Sequence, residues 1–315
     1  MSTTKHAYWS PSAPPEPLDA FTGTWTGNGF NTIFRPNRNK TPLPNRAPEN
    51  PDADPSSDPD NLLQLNLTFE TLTFLDSLAD IPNRAFLENQ PDAFLQGVPY
   101  TQSIKDVITN SGIHFEPGIW LFVPETTEPR VQPTVVRMAS IPHGTTILAQ
   151  GTFETNDGGP EIPVVDITPF TIGNPTDRKK FTSQNAADDL TFRLPQTLPP
   201  TITQAMLDNP NIVLELAIKG QNIIRTTTLK ISTTANPDMS GSGTRNIAFL
   251  EGTLPPPNTN GPNAQAADMD ATFWIETVER DDGTTFTQIQ YSQVVLLNFD
   301  NLSWPHVSVA TLTQS

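Results

Sequence analysis

Short runs of Val, Ile, Phe and Thr, separated by clusters of Pro, Gly, Asn and Asp, recur from one end of this chain to the other. That punctuation is the signature of many short strands joined by turns. The spacing predicts strands over Leu62–Phe74, Gly118–Val123, Thr134–Ser140, Thr145–Phe153, Ile212–Ile218, Ile223–Ser232, Asn246–Gly252 and Thr272–Val278. The clearest hairpin joins Thr272–Glu279 to Thr284–Phe299 through Asp281–Asp282–Gly283, where Gly283 supplies a positive φ. Within Ile289–Gln293 apolar and polar residues alternate, as a strand with one inward and one outward face requires. Helical signals are few: Ala93–Gly97 and Thr203–Asp208 read as single turns or short helices, the second closed by Pro210.

Three segments read as long connections: Pro36–Asp60, Asn156–Asp189 and Leu254–Asp268, the last with the run Pro255–Pro256–Pro257. Each exceeds the roughly 12–15 residues usual for an unstructured loop, so each is either an excursion packed on the core or a surface loop. Many antiparallel strands with few helices predict an all-β, lipocalin-like antiparallel β-barrel, elaborated by Pro-rich loop insertions and a few short helices. Closure removes unpaired edges, and a large barrel leaves an interior that holds a small ligand. The expected organisation is an N-terminal arm over residues 1–20 and one barrel domain over residues 21–315.

Composition excludes several functions. The 315 residues carry 18 basic and 34 acidic side chains, a net charge of −16 that repels phosphate backbones and anionic lipid. Nucleic acid and membranes are therefore not expected partners. No apolar run reaches the roughly 18 residues of a membrane-spanning helix, and no secretory signal is visible, so a cytoplasmic protein is expected. Cysteine is absent, which excludes disulfides, thiol catalysis and thiolate metal sites. Sequence motifs for zinc proteases, serine hydrolases, P-loops and kinases are missing as well.

Four histidines remain: His6, His114, His143 and His306. His6 falls in the arm. Three clusters are the candidate functional residues. In Gly23-Thr24-Trp25-Thr26-Gly27-Asn28-Gly29, running on to Thr32-Ile33, Trp25 is placed to close the bottom of a barrel while the glycines permit a sharp bend; the alternative is an ordinary core tryptophan beside a turn. In Gly112-Ile113-His114-Phe115-Glu116-Pro117-Gly118, strand alternation puts His114 and Glu116 on one face, close enough to orient each other; the alternative is a polar pair at the surface. Pro142-His143-Gly144 reads as a hairpin corner, with His143 either a pocket residue or exposed.

Together these motifs resemble the nitrobindin family, a haem-binding branch of the lipocalin-like (calycin) barrels. The resemblance rests on Gly23 to Ile33, Tyr100 and Gln102, His114/Glu116/Gly118 with Trp120, Gly144, Gly151, and a histidine near the C-terminus, His306 in Trp304-Pro305-His306-Val307-Ser308-Val309. This chain is much longer than that family's members, the excess falling in the loop segments and around residues 155–230, and Pro305 has no match in the pattern. The resemblance implies a non-covalent b-type haem with His306 as the iron ligand. His114, Trp25, Thr32, Ile33 and His143 would be haem-pocket residues, and Arg35, Arg137 and Lys219 are candidates for the propionates. It also implies binding or conversion of reactive nitrogen or peroxide species, as in peroxynitrite isomerisation or peroxidase-like activity. Two other functions stay open: a lipocalin-like carrier of a small apolar molecule without iron, and a structural β protein whose loops bind another protein. For His306 itself the open alternative is that it faces solvent while Val307 and Val309 fill the core.

Overall fold

The computed structural model describes residues 14–37, 61–85, 88–128, 130–141, 145–187, 192–234, 243–246 and 264–315. Ten long strands carry the fold: β1 (Gly23–Pro36), β2 (Asn61–Phe74), β3 (Ala93–Asp106), β4 (Gly112–Val123), β5 (Thr134–Ile141), β6 (Thr145–Asp157), β7 (Asn222–Ser232), β8 (Gln265–Glu279), β9 (Thr285–Phe299) and β10 (Leu302–Gln314). Each pairs antiparallel with the next in sequence, and β10 returns to β1 with Trp25 opposite Gln314 and Thr32 opposite Val307. The result is a closed up-and-down barrel, in which no strand of the ten is left with an unpaired edge.

The expected hairpin is present, with Gly283 at φ +79° in the turn between β8 and β9. Glycine is also needed where strands cross closely. A Cβ on Gly27 would lie 2.0 Å from the Thr311 carbonyl oxygen, and one on Gly151 would lie 1.6 Å from that of Lys230. No side chain fits at either place, and there β1 bends onto β10 and β6 onto β7.

Two local expectations are corrected. Ala93–Gly97 is not helical: it opens β3, where Phe94 is exposed while Leu95 and Val98 are buried, and it is paired on both sides, by Leu78–Asn83 and by β4. Ile212–Ile218 is not a strand but the helix α2 (Ile212–Ala217), preceded by α1 (Gln204–Asp208) with Thr203 as its N-cap. A short apolar run fits either form by pattern alone. Here Leu214 is wholly buried against the barrel, and Gln290 Nε2 of β9 donates to its carbonyl oxygen at 3.0 Å.

Both helices belong to an excursion between β6 and β7. Leaving and rejoining at the end of the barrel where β1 starts, the base, it climbs the outer wall to the opposite end, the rim. There Phe170 and Thr171 pair with Ser303 and Leu302 of β10, and Arg193 and Leu194 run parallel to Leu63 and Gln64 of β2. Phe181 stacks on Trp304 at 5.1 Å and meets Phe34 at 6.4 Å. Of the connections read as loops, residues 158–187 are thus ordered and packed on the barrel. Residues 38–60 and 254–263 lie outside the described residues.

The base is closed from within. Phe21 stacks on Phe74 at 4.5 Å and meets Trp120 edge-on at 5.4 Å. Trp25 is 1% exposed and donates its indole N–H to the Thr22 carbonyl at 2.8 Å, and Leu18 is wholly buried. Replacing Trp25 with Ala is expected to cost about 3–5 kcal/mol in denaturant unfolding, as other large aromatic deletions do; a loss within the roughly 0.5 kcal/mol of surface changes would show that the indole does not seal the base.

Candidate functional site

Strand register decides which side chains enter the barrel. Opposite residues share a face, so the pairs Asn31–Ser308, Ser308–Gln293, Phe273–Tyr291, Trp120–Arg137, Gln102–Glu116 and Leu72–Gln102 all point inward. The outer face of the same strands carries Phe69, Phe115 and Met138, which are exposed. The interior is therefore far more polar than a lipocalin-type carrier suggests, and its polar groups form three connected sets.

The central set is an ion pair. Arg137 Nη2 meets Glu116 Oε1 at 2.5 Å, with both side chains almost completely shielded from solvent. Arg137 also donates from Nε to the Tyr100 hydroxyl at 2.8 Å and from Nη1 to Gln293 Oε1 at 2.6 Å. The Tyr100 hydroxyl donates a short hydrogen bond to Glu116 Oε1, and His114 Nε2 meets the other carboxylate oxygen at 3.1 Å. The guanidinium lies 5.4–5.9 Å from the ring centres of Phe273, Tyr100 and Trp120, an aromatic box that adds cation–π attraction. Burial alone pushes Glu116 up, but the Arg137 charge and the hydrogen bonds from His114 and Tyr100 outweigh it and hold the carboxyl at about 2.

Beside it sits a second carboxyl without a cation. Glu70 accepts from the Tyr291 hydroxyl at 2.9 and 2.8 Å and from Gln102 Nε2 at 3.1 Å. Burial raises it to about 7; these hydrogen bonds offset only part of that cost, and the Glu116 charge adds to it. The third set lines the rim side. Asn31 Oδ1 accepts from His306 Nε2 at 2.8 Å and from Ser308 Oγ at 2.8 Å, and Asn31 Nδ2 donates to Asn66 Oδ1 at 3.3 Å. Asn66 in turn donates to Asp106 at 2.8 Å and accepts from Gln64, which takes a 2.7 Å bond from Arg35.

His306 and His114 both occupy the inward face, one bound to Asn31 and the other to Glu116. Val307 and Val309 are wholly buried on the opposite face, under the excursion. Ile33 shares the inward face of β1, whereas Thr32, paired with Val307, points outward and is buried there. Trp25 lies at the base, away from the rim-side set. His143 lies outside the described residues. Of the three cations considered for the rim, Arg35 is at the rim, Arg137 is instead the buried centre of the interior, and Lys219 is exposed on the excursion near the base.

Sequence reasoning did not find the Arg137 pairing, Glu70, Tyr291, Gln293 or Asn31. One signal was available: Arg137 is the only charged residue of Thr134–Ile141, a strand otherwise buried along most of its length. A charge in such a run is buried and must be paired.

The fold and site define a closed ten-stranded antiparallel β-barrel with a hydrogen-bonded polar interior. No protein-family model and no curated protein matches the chain. Among solved structures it is similar to Rv2717c from M. tuberculosis, at 12% identity and a TM-score of 0.38, over 96% of this chain and 99% of that one. That likeness says nothing about residues or ligand. Among the described residues no helix is long and apolar enough to cross a membrane, and no group of three His, Asp or Glu is arranged to hold a bare metal ion.

Two outcomes are expected. Glu116→Gln strands the Arg137 charge and should cost about 3–5 kcal/mol in denaturant unfolding, while the double change Glu116→Gln with Arg137→Met should recover a large part of it. Recovery of none would mean the pair is not the source of the loss. For Glu70 the folded-state pKa lies above the ordinary 4.5, so the folded protein holds the extra proton between about pH 4.5 and 7 and loses stability as pH rises through that window. Glu70→Gln should therefore gain on the order of 3 kcal/mol over wild type at pH 8 and little near pH 4.5, read from urea midpoints. An equal effect at both pH values would assign the change to packing.

Proposed function

We propose that the barrel is a haem-binding protein in which His306, on the inward wall near the rim, would hold the iron through its imidazole. The observation that carries this reading is the orientation of His306: its imidazole points inward and is only partly covered, while Val307 and Val309 are locked outward beneath the excursion. A neutral imidazole is the commonest donor that a cysteine-free chain offers to haem iron, and without cysteine the haem would be held non-covalently. The residues fit with one exchange. His306 Nε2 donates to Asn31 Oδ1; with iron in that place, Asn31 keeps Ser308 and Asn66 as partners.

Held by His306, haem would supply an iron able to bind a diatomic or peroxide molecule, so reactive nitrogen or peroxide species are the reactants this reading provides. The chain's own residues orient and shield. Asn31 and Ser308 set the angle of the His306 ring. The wall beyond them holds protons at defined atoms: Arg137 stays charged against Glu116, and Glu70 with Tyr291 keeps a proton available near neutral pH.

A second reading, an iron-free carrier of a small apolar molecule, is favoured by the Asn31 contact itself, because it occupies the nitrogen that iron would need. Haem titration separates the two. Wild type is expected to take up haemin with a Soret band typical of histidine ligation, and His306→Ala to lose that band or shift it. A spectrum unchanged in His306→Ala would remove His306 from the iron, and no uptake by wild type would leave the carrier reading standing.

A further inference from the structure

We infer that the excursion between β6 and β7 is a proton-controlled cover, latched to the barrel wall by the protonated carboxyl of Glu276 and loosened when that carboxyl ionises. The inference does not depend on what the interior binds.

Glu276 lies on the outward face of β8, at the root of the excursion. Its register partners are Thr226 of β7 and Gln288 of β9. Each of them holds one end of the excursion. The Thr226 hydroxyl donates to the Gly158 carbonyl at 2.7 Å, where the excursion departs, and Gln288 Nε2 donates to Gln221 Oε1 at 2.8 Å, where it rejoins. Gln288 Nε2 also donates to Glu276 Oε2 at 2.5 Å. The carboxyl is thus the middle of a three-strand anchor, and it is wholly shielded from solvent.

That position suits a neutral acid and not a carboxylate. Glu276 Oε1 is buried and has no hydrogen-bond partner. The side chains that β7, β9 and the excursion set beside the carboxyl, Thr226, Gln288 and Gln221, are uncharged. The charged residues of the same elements are engaged elsewhere or exposed: Glu215 and Lys219 of the excursion face solvent, Arg225 pairs with Glu16, and Glu279 accepts from Asn222. Burial raises the carboxyl to about 7, and the bond from Gln288 offsets only part of that. On β9, Gln290 Oε1 is also buried without a partner, although its Nε2 holds the Leu214 carbonyl of α2. Water reaches these two acceptors only when the excursion parts from the wall, so opening relieves their burial.

The direction of the response follows from the two states. Closed, the carboxyl keeps its proton to about pH 7; opened to water, it ionises near the ordinary 4.5. The closed form therefore holds the extra proton between those values. Opening becomes easier as pH rises through that window, by up to about tenfold per unit, and levels off above it. The inner strands do not share this anchor, so the loosening is local to the excursion and exceeds any change in the barrel itself.

The test is amide hydrogen exchange of the full chain at pH 5 and pH 7.5, corrected for the intrinsic pH dependence of exchange. It is read in peptides covering residues 204–221 and, for comparison, in β3 and β5. In wild type the protection of residues 204–221 is expected to fall by about tenfold or more between the two pH values, and by more than that of β3 and β5, which the Glu70 titration also affects. Glu276→Gln, which cannot ionise, should give residues 204–221 no fall beyond that of β3 and β5, whose protection reports that the barrel is intact. Glu276→Leu, which fills the same place without a polar group, should do the same. Three results overturn the inference: wild-type protection of residues 204–221 that does not change with pH, a change no larger than that of β3 and β5, or a full fall retained in either substituted protein with an intact barrel.

Discussion

The Arg137–Glu116 ion pair is the contact around which the interior is organised. Removing two charges from water is costly, and Coulomb attraction repays that cost only where the remaining donors and acceptors are also satisfied. Here they are: the guanidinium is taken up by Glu116, Tyr100 and Gln293, and the carboxylate by Arg137, Tyr100 and His114. Those partners come from β3, β4, β5 and β9, so one pair fixes side chains from strands on different sides of the barrel. A ten-stranded barrel is wider than the roughly eight strands whose side chains fill the interior by themselves. Polar side chains that reach across and bind one another are one way to keep such an interior ordered, and Tyr291, on β9, reaches Glu70 on β2 in the same manner.

The cover on the outside is as important as the contents. β10 reads His306-Val307-Ser308-Val309, and alternation allows either set to face inward. The excursion decides between them. By burying Val307 and Val309 against its own apolar residues, among them Leu214 of α2, it turns the outer wall of β10 into a second core and directs His306 and Ser308 to the interior. The same cover accounts for Phe30, Thr32 and Phe34, buried on the outward face of β1. Where the excursion does not run, on β4 and β5, outward Phe115 and Met138 stay exposed.

This explains which parts were legible beforehand. Strands such as Leu62–Phe74 and the Gly283 hairpin announce themselves through local chemistry: a period of two and a residue that accepts positive φ. The facing of His114 and Glu116 follows from the same period. What local pattern does not carry is the second layer. Ile212–Ile218 has the composition of a strand, yet no barrel position was open to it, and it coils into a helix that buries Leu214. Arg137 was one of three candidates for the propionates; its burial depends on Glu116, Tyr100 and Gln293, which lie 21, 37 and 156 residues away in sequence.

The order of chemistry along the barrel axis then constrains what enters it. The base is aromatic and dry, sealed by Phe21, Phe74, Trp25 and Trp120. The middle holds one guanidinium against two carboxyls: the Arg137 and Glu116 charges offset each other, and burial pushes the second carboxyl, Glu70, up to about 7. On the rim side the Arg35 charge and the Asp106 carboxylate are joined through Gln64 and Asn66. A molecule whose polar edge stays at the rim satisfies that order, because the sealed base never has to accept it.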